Sequence, residues 1–153
     1  MNLFSKAILS AAIIGIALTG CGEKKDNHLK VGAIAGAETQ VAEEAAKIAK
    51  EKFGLEVEIV QFSDFATPNV ALNDGSIDVN AFQHKPYLDS QIKDRGFKLV
   101  AVGNTFVYPI AGYSKKIKNI SELKEGSQIA VPNDPTNLGR SLLLLQKQGL
   151  LKL

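Results

Sequence analysis

SQIAVPNDPTNLGRSLLLLQKQGL, residues 127–150, joins two kinds of pattern in one stretch. Residues 127–132 read as a strand. Asp134 to Gln148 read as a helix, with Asp134 or Thr136 able to cap it, Pro135 in its first turn and Gly149 after its end. In an α/β sheet, ligands lie at the carboxyl ends of strands, against helix N-termini. Such a terminus exposes unpaired N–H groups and a partial positive charge. Arg140 sits one turn further in, and its planar guanidinium matches a carboxylate. Asn137 has an amide that donates or accepts beside it. Together these residues define a candidate site for a small carboxylate. They also fit an ordinary helix cap next to a surface arginine.

Upstream the same alternation recurs. LKVGAIA (29–35) predicts a short apolar strand, and Thr39 to Phe53 a helix with Val41, Ala45, Ile48, Ala49 and Phe53 near helical spacing, ended by Gly54. LEVEIVQF (55–62) alternates with period two and is β-branched, hence a second strand. Thr67 to Asn73 predicts a short helix with Pro68 in its first turn, followed by the Asp74-Gly75 turn. IDVNAF (77–82) predicts a third strand, and Lys85 to Arg95 a helix with Pro86 near its start and Gly96 after its end. FKLVAVG (97–103) and TFVYPIAGYS (105–114) predict two more strands, and Ser121 to Leu123 a single helical turn. Strands alternating with helices imply an α/β fold with a largely parallel sheet.

Aromatic residues gather in the middle of the chain. Phe65 lies in DFATPN, Phe82, His84 and Tyr87 in VNAFQHKPYL, and Phe106, Tyr108 and Tyr113 in the strand-like 105–114. Phe82 and His84 are two apart, so they face one way if the strand continues through them. Both precede a helix, again at the ligand edge. Aromatic walls suit an apolar or thioether side chain, because sulfur packs well against rings. Phe106 and Tyr113 read instead as core.

The front of the chain sets the compartment. MNLFSKAILSAAIIGIALTG (1–20) has an early Lys6, an apolar run from Ala7 to Leu18 and small residues at its end, the pattern of a secretory signal. The run is shorter than the ~20 apolar residues of a transmembrane helix. Leu18-Thr19-Gly20-Cys21 resembles the bacterial lipobox, in which the cysteine is acylated and becomes the new N-terminus. Cys21 is the only cysteine, so it has no intramolecular disulfide partner. Residues 21–28 then read as a lipidated tether, and localisation as a membrane anchor facing the periplasm or the cell exterior. Loss of residues 1–20 removes one charge, Lys6, from 18 Lys+Arg against 16 Asp+Glu. That near balance, with the signs interspersed, argues against nucleic acid as a partner.

Catalysis finds little support. The two histidines, His28 in the tether and His84, make no metal cluster, and the only thiol is assigned to lipid. Gly32 to Gly36 fits neither GxGxxG nor a P-loop. Gly36-Ala37-Glu38-Thr39 reads as a tight turn with backbone donors near a ligand. Nothing frames Ser63 or Ser114 as an activated nucleophile. No enzyme activity, cofactor or metal is expected.

LKVGAIAGAE, DVNAFQHKPYLD, GNTFVYPIAGYSKKI and VPNDPTNLGRSLLLLQKQGL together resemble the NlpA family of methionine-binding lipoproteins of bacterial ABC importers. The resemblance runs from Cys21 to the last residue. It implies a periplasmic-binding-protein type II-like fold that closes two lobes around methionine, in its L or D form, and hands it to a membrane permease and its ATPase. By position, Arg140 would clamp the methionine carboxylate with Asn137 as helper. Phe65, Phe82 and His84 would line the side-chain pocket, with Tyr108 contributing. Members often carry Tyr where this chain has Phe65, so a hydroxyl contact would be lost there. The first lobe would run from residue 29 to about 105 and the second would begin at 106–153. Members continue past Leu153, so the second lobe is expected to be incomplete here. Leu142 to Leu145 point all round their helix and are expected to lack a covering segment. A lipoprotein that keeps its anchor but binds no ligand is the alternative this expectation raises.

Overall fold

The computed structural model describes residues 27–153. Cys21, the signal segment and most of the tether lie outside the described residues. Strand β1 is His28–Ile34, starting one residue before the expected Leu29. It is followed by helix α1 (Ala37–Phe53), strand β2 (Glu56–Phe62), helix α2 (Thr67–Asn73), strand β3 (Val79–Asn80) and helix α3 (Lys85–Arg95). A 3₁₀ turn at Ile120–Glu122 and helix α4 (Pro135–Lys147) complete the order.

The three strands form one parallel sheet in the order β2-β1-β3. β1 pairs with β2 from His28↔Glu56 to Ile34↔Phe62, and with β3 at Val31↔Val79 and Gly32↔Asn80. Two further bonds, Asp78 N to Lys30 O and Ala81 N to Gly32 O, both 2.9 Å, extend the second seam. Close approach here requires Gly32. A Cβ at that position would lie 2.7 Å from Ile77 Cδ1 and 2.9 Å from Phe62 Cε2. Because all three strands run the same way, their carboxyl ends share one edge, and the loops into α1, α2 and α3 leave from it.

The helix boundaries follow local chemistry. α1 ends where Gly54 takes φ 65°; the Gly54 N–H returns to the Lys50 carbonyl and the Leu55 N–H to that of Ala49. Asp64 accepts from the N–H groups of Ala66 and Thr67, each at 2.8 Å, and prepares the chain for α2, with Pro68 in its first turn. Gly96, at φ 69°, closes α3. Asn119 and Glu122 cap the 3₁₀ turn reciprocally. α2 and α3 span the expected residues.

Five expectations are corrected. Residues 97–103, 105–114 and 127–132 join no ladder among the described residues, and of 77–82 only Val79–Asn80 is strand. Their apolar alternation records backbone preference, but a strand also needs a neighbour's N–H and C=O groups. Both sides of β1 are already taken, β3 offers an edge of two residues, and none of these segments pairs with the outer edge of β2. Phe106 and Tyr113, read as core, are 51% and 94% exposed. No paired sheet forms beneath them. The apolar stripe of α1 is also only partly covered, with Val41 and Ile48 exposed and Phe53 76% exposed. In α4, Leu143 faces solvent while Leu142, Leu144 and Leu145 are half-buried. Among the described residues the buried interior is small: Gly32, Ala33, Pro68, Ala71, Ile77 and Tyr87, with the polar Thr39, Asn69 and Ser141.

Candidate functional site

Two clusters meet beyond the carboxyl edge of the sheet. The first is aromatic. Phe65, in the loop after β2, stacks on Phe82, in the loop after β3, with centroids 5.9 Å apart and planes 15° apart. Tyr87 meets Phe82 edge-on at 6.2 Å and lies nearly parallel to His84 at 6.4 Å. Its hydroxyl donates to the Phe65 carbonyl at 3.0 Å, tying the two loops together. Phe82 and His84 therefore both face Tyr87, although the strand ladder does not continue through them. Tyr87 is the member absent from the expected site. Its signal was its place three residues after His84, one turn into α3.

The second cluster opens α4. Asp134 is its cap and accepts from Asn137 N at 2.9 Å, Asn137 Nδ2 at 3.1 Å and Thr136 Oγ1 at 2.6 Å. Burial alone would raise the Asp134 carboxyl, but these donors outweigh it and hold the group below its ordinary value. Arg140 Nη1 donates to Asn137 Oδ1 at 3.1 Å, and Nη2 donates to the Tyr108 carbonyl at 2.9 Å. The fork is thus held in place from both sides, with Arg140 half-buried. Tyr108 serves through its backbone, while its ring packs edge-on against Phe106 at 5.1 Å.

Electrostatics joins the clusters. His84 is held below its ordinary value first by burial, then by the Arg140 cation, with Asp134 opposing. The imidazole is therefore neutral near pH 7, and its Nε2 is buried without a protein hydrogen-bond partner. Tyr87 is raised by burial and by Asp134. Glu38, in the first turn of α1 at the same edge, has its carboxyl raised by burial against the N–H of Ile34, and its Oε2 is also unpartnered. Next to it Thr39 Oγ1 donates to the Ile34 carbonyl at 2.8 Å. No group of three His, Cys, Asp or Glu among the described residues could hold a metal. A shallow depression lined by His28, Lys50 and Glu56 opens at the opposite edge, where β1 and β2 begin.

The parallel α/β sheet, with an arginine fork and a ring cluster beyond its carboxyl edge, has the architecture of part of a bilobal substrate-binding-protein fold. The family model of the NlpA lipoproteins matches residues 29–153, and the chain belongs to that family. It is 70% identical over 149 residues to the D-methionine-binding lipoprotein MetQ of Escherichia coli K12, covering 96% of this chain and 55% of that protein. A crystal structure of the methionine-binding protein MetQ superposes with a TM-score of 0.81 at 75% identity, over 83% of this chain and 52% of the other. A nutrient-binding protein from Burkholderia cenocepacia bound to methionine gives 0.78 at 52% identity, over 82% and 52%. The chain spans about half the length of the curated relatives it matches.

Proposed function

We propose that this chain binds methionine and serves as the lipid-anchored binding component of an ABC importer. The ligand carboxylate lies on the Arg140 fork at the start of α4, with Asn137 steering the guanidinium. The thioether lies against Phe65, Phe82, His84 and Tyr87. Acylation of Cys21 holds the protein at the membrane, facing the periplasm or the cell exterior, where it passes its ligand to a permease and ATPase complex. No bond in the ligand is made or broken.

The observation that carries this reading is the pairing of a fixed guanidinium with a cluster of rings. One end suits an anion and the other a soft apolar group, the two ends of methionine. The methionine-bound relative supports the choice of ligand. The test is a thermal melt of the full chain with L-methionine, D-methionine or alanine. Ligand at 100 times Kd adds about 2.7 kcal/mol to the folded state. A midpoint that rises with methionine and not with alanine is expected. A ligand-blind melt refutes the reading and favours a lipoprotein that keeps its anchor without a ligand.

A further inference from the structure

Behind the aromatic wall lie three amide side chains that ligand binding does not use directly. Asn69, in the first turn of α2, is 0% exposed. Its Nδ2 donates to Gln83 Oε1 at 2.8 Å, and its Oδ1 accepts from Gln83 Nε2 at 2.7 Å. The same Oδ1 accepts from Asn80 Nδ2 at 3.0 Å, which also donates to the Pro68 carbonyl at 3.2 Å. Gln83 Nε2 further reaches Asn80 Oδ1 at 3.3 Å.

This network links the two arms that carry the rings. One arm holds Phe65 and, four residues later, Asn69. The other holds Phe82 and His84 with Gln83 between them, in a segment outside the sheet ladder. An apolar contact between the arms would tolerate sliding. Two short reciprocal bonds to an Asn69 closed to water do not, because any slip leaves that buried amide unpaired at about 1–3 kcal/mol. Gln83 therefore registers its neighbours Phe82 and His84 against the arm of Phe65.

We propose that the Asn69–Gln83 amide pair is a positioning clasp that sets the Phe65–Phe82 stack and, through it, the side-chain selectivity of the site. The proposal rests on the methionine reading above. Asn69 is closed to solvent, so it acts on a ligand only through the rings.

Two measurements on the full chain test it. The first is the NMR cross-relaxation between the ring protons of Phe65 and Phe82 without ligand. The second is the ratio of affinities for methionine and norleucine, which differ by sulfur against methylene and so report how the rings meet the side chain. Asn69→Leu/Gln83→Leu removes both partners together, so neither amide strands the other, and Asn80 keeps the Pro68 carbonyl. In this variant the ring cross-peaks should vanish. Methionine affinity should fall by about tenfold, near the upper end of what sulfur–ring contacts contribute, and the ratio should move towards one. Gln83→Asn keeps an amide on a shorter stem and tests the same point, with smaller changes, should the double variant fail to fold. Unchanged cross-peaks and an unchanged ratio in a folded variant overturn the clasp. If the wild type binds neither amino acid, the methionine reading fails, and the cross-peaks alone decide whether the clasp holds the rings.

Discussion

Replacing Arg140 probes the site at its anionic end. A guanidinium carries five N–H donors, and the bonds to Asn137 Oδ1 and the Tyr108 carbonyl occupy two of them. The remaining donors suffice for a two-point contact to a carboxylate. Each charge-assisted bond is worth about 1.5–3 kcal/mol. Arg140→Ala should therefore cost about 3–6 kcal/mol, a loss of roughly a hundredfold to ten-thousandfold in methionine affinity. Arg140→Lys keeps the charge but not the fork, and should lose about one bond, roughly tenfold to a hundredfold. Isothermal titration of both variants against the wild type gives the numbers, and the unliganded thermal midpoint shows that each is folded. Arg140→Lys binding as well as wild type would refute fork geometry. Arg140→Ala within threefold of wild type would refute the carboxylate clamp altogether.

Two further outcomes follow from the geometry. His84 is lowered from its ordinary value near 6.5 by burial and by Arg140, so the unfolded chain binds its proton more readily than the folded one. Its contribution to stability is whole above that value and is lost as pH falls towards the folded one. The thermal midpoint should decline below about pH 6.5, and His84→Phe should flatten that part of the profile; a profile unchanged by the substitution would exclude the histidine as its source. Gly32→Ala places a methyl 2.7 Å from Ile77 Cδ1 and 2.9 Å from Phe62 Cε2. Such overpacking costs about 1–3 kcal/mol, read as a lower urea midpoint at unchanged slope, and an unchanged midpoint would show that the seam between β1 and β3 yields.

What the sequence disclosed depended on whether the cause was local. α2 and α3 were legible to the residue because Pro68 and Pro86 mark their first turns and Gly96 ends α3, signals that act within a few residues. Asn137 and Arg140 were legible as a pair because three residues along a helix put them on one face. Segments 97–103, 105–114 and 127–132 were misread because alternation describes one strand, whereas a ladder belongs to two. The same distinction divides the site. Tyr108, expected to contribute to the side-chain pocket, reaches Arg140 across 32 residues through its carbonyl, a contact that no choice of side chain could announce. Asn69 and Gln83 carried no signal in the sequence, since their amides pair only across fourteen residues in the folded chain. Groups that recognise a ligand advertise themselves by residue type, while those that position them depend on pairings only the folded chain creates. The Asn69–Gln83 clasp is of the second kind, and substitutions there should alter selectivity without touching any residue that the sequence marked for binding.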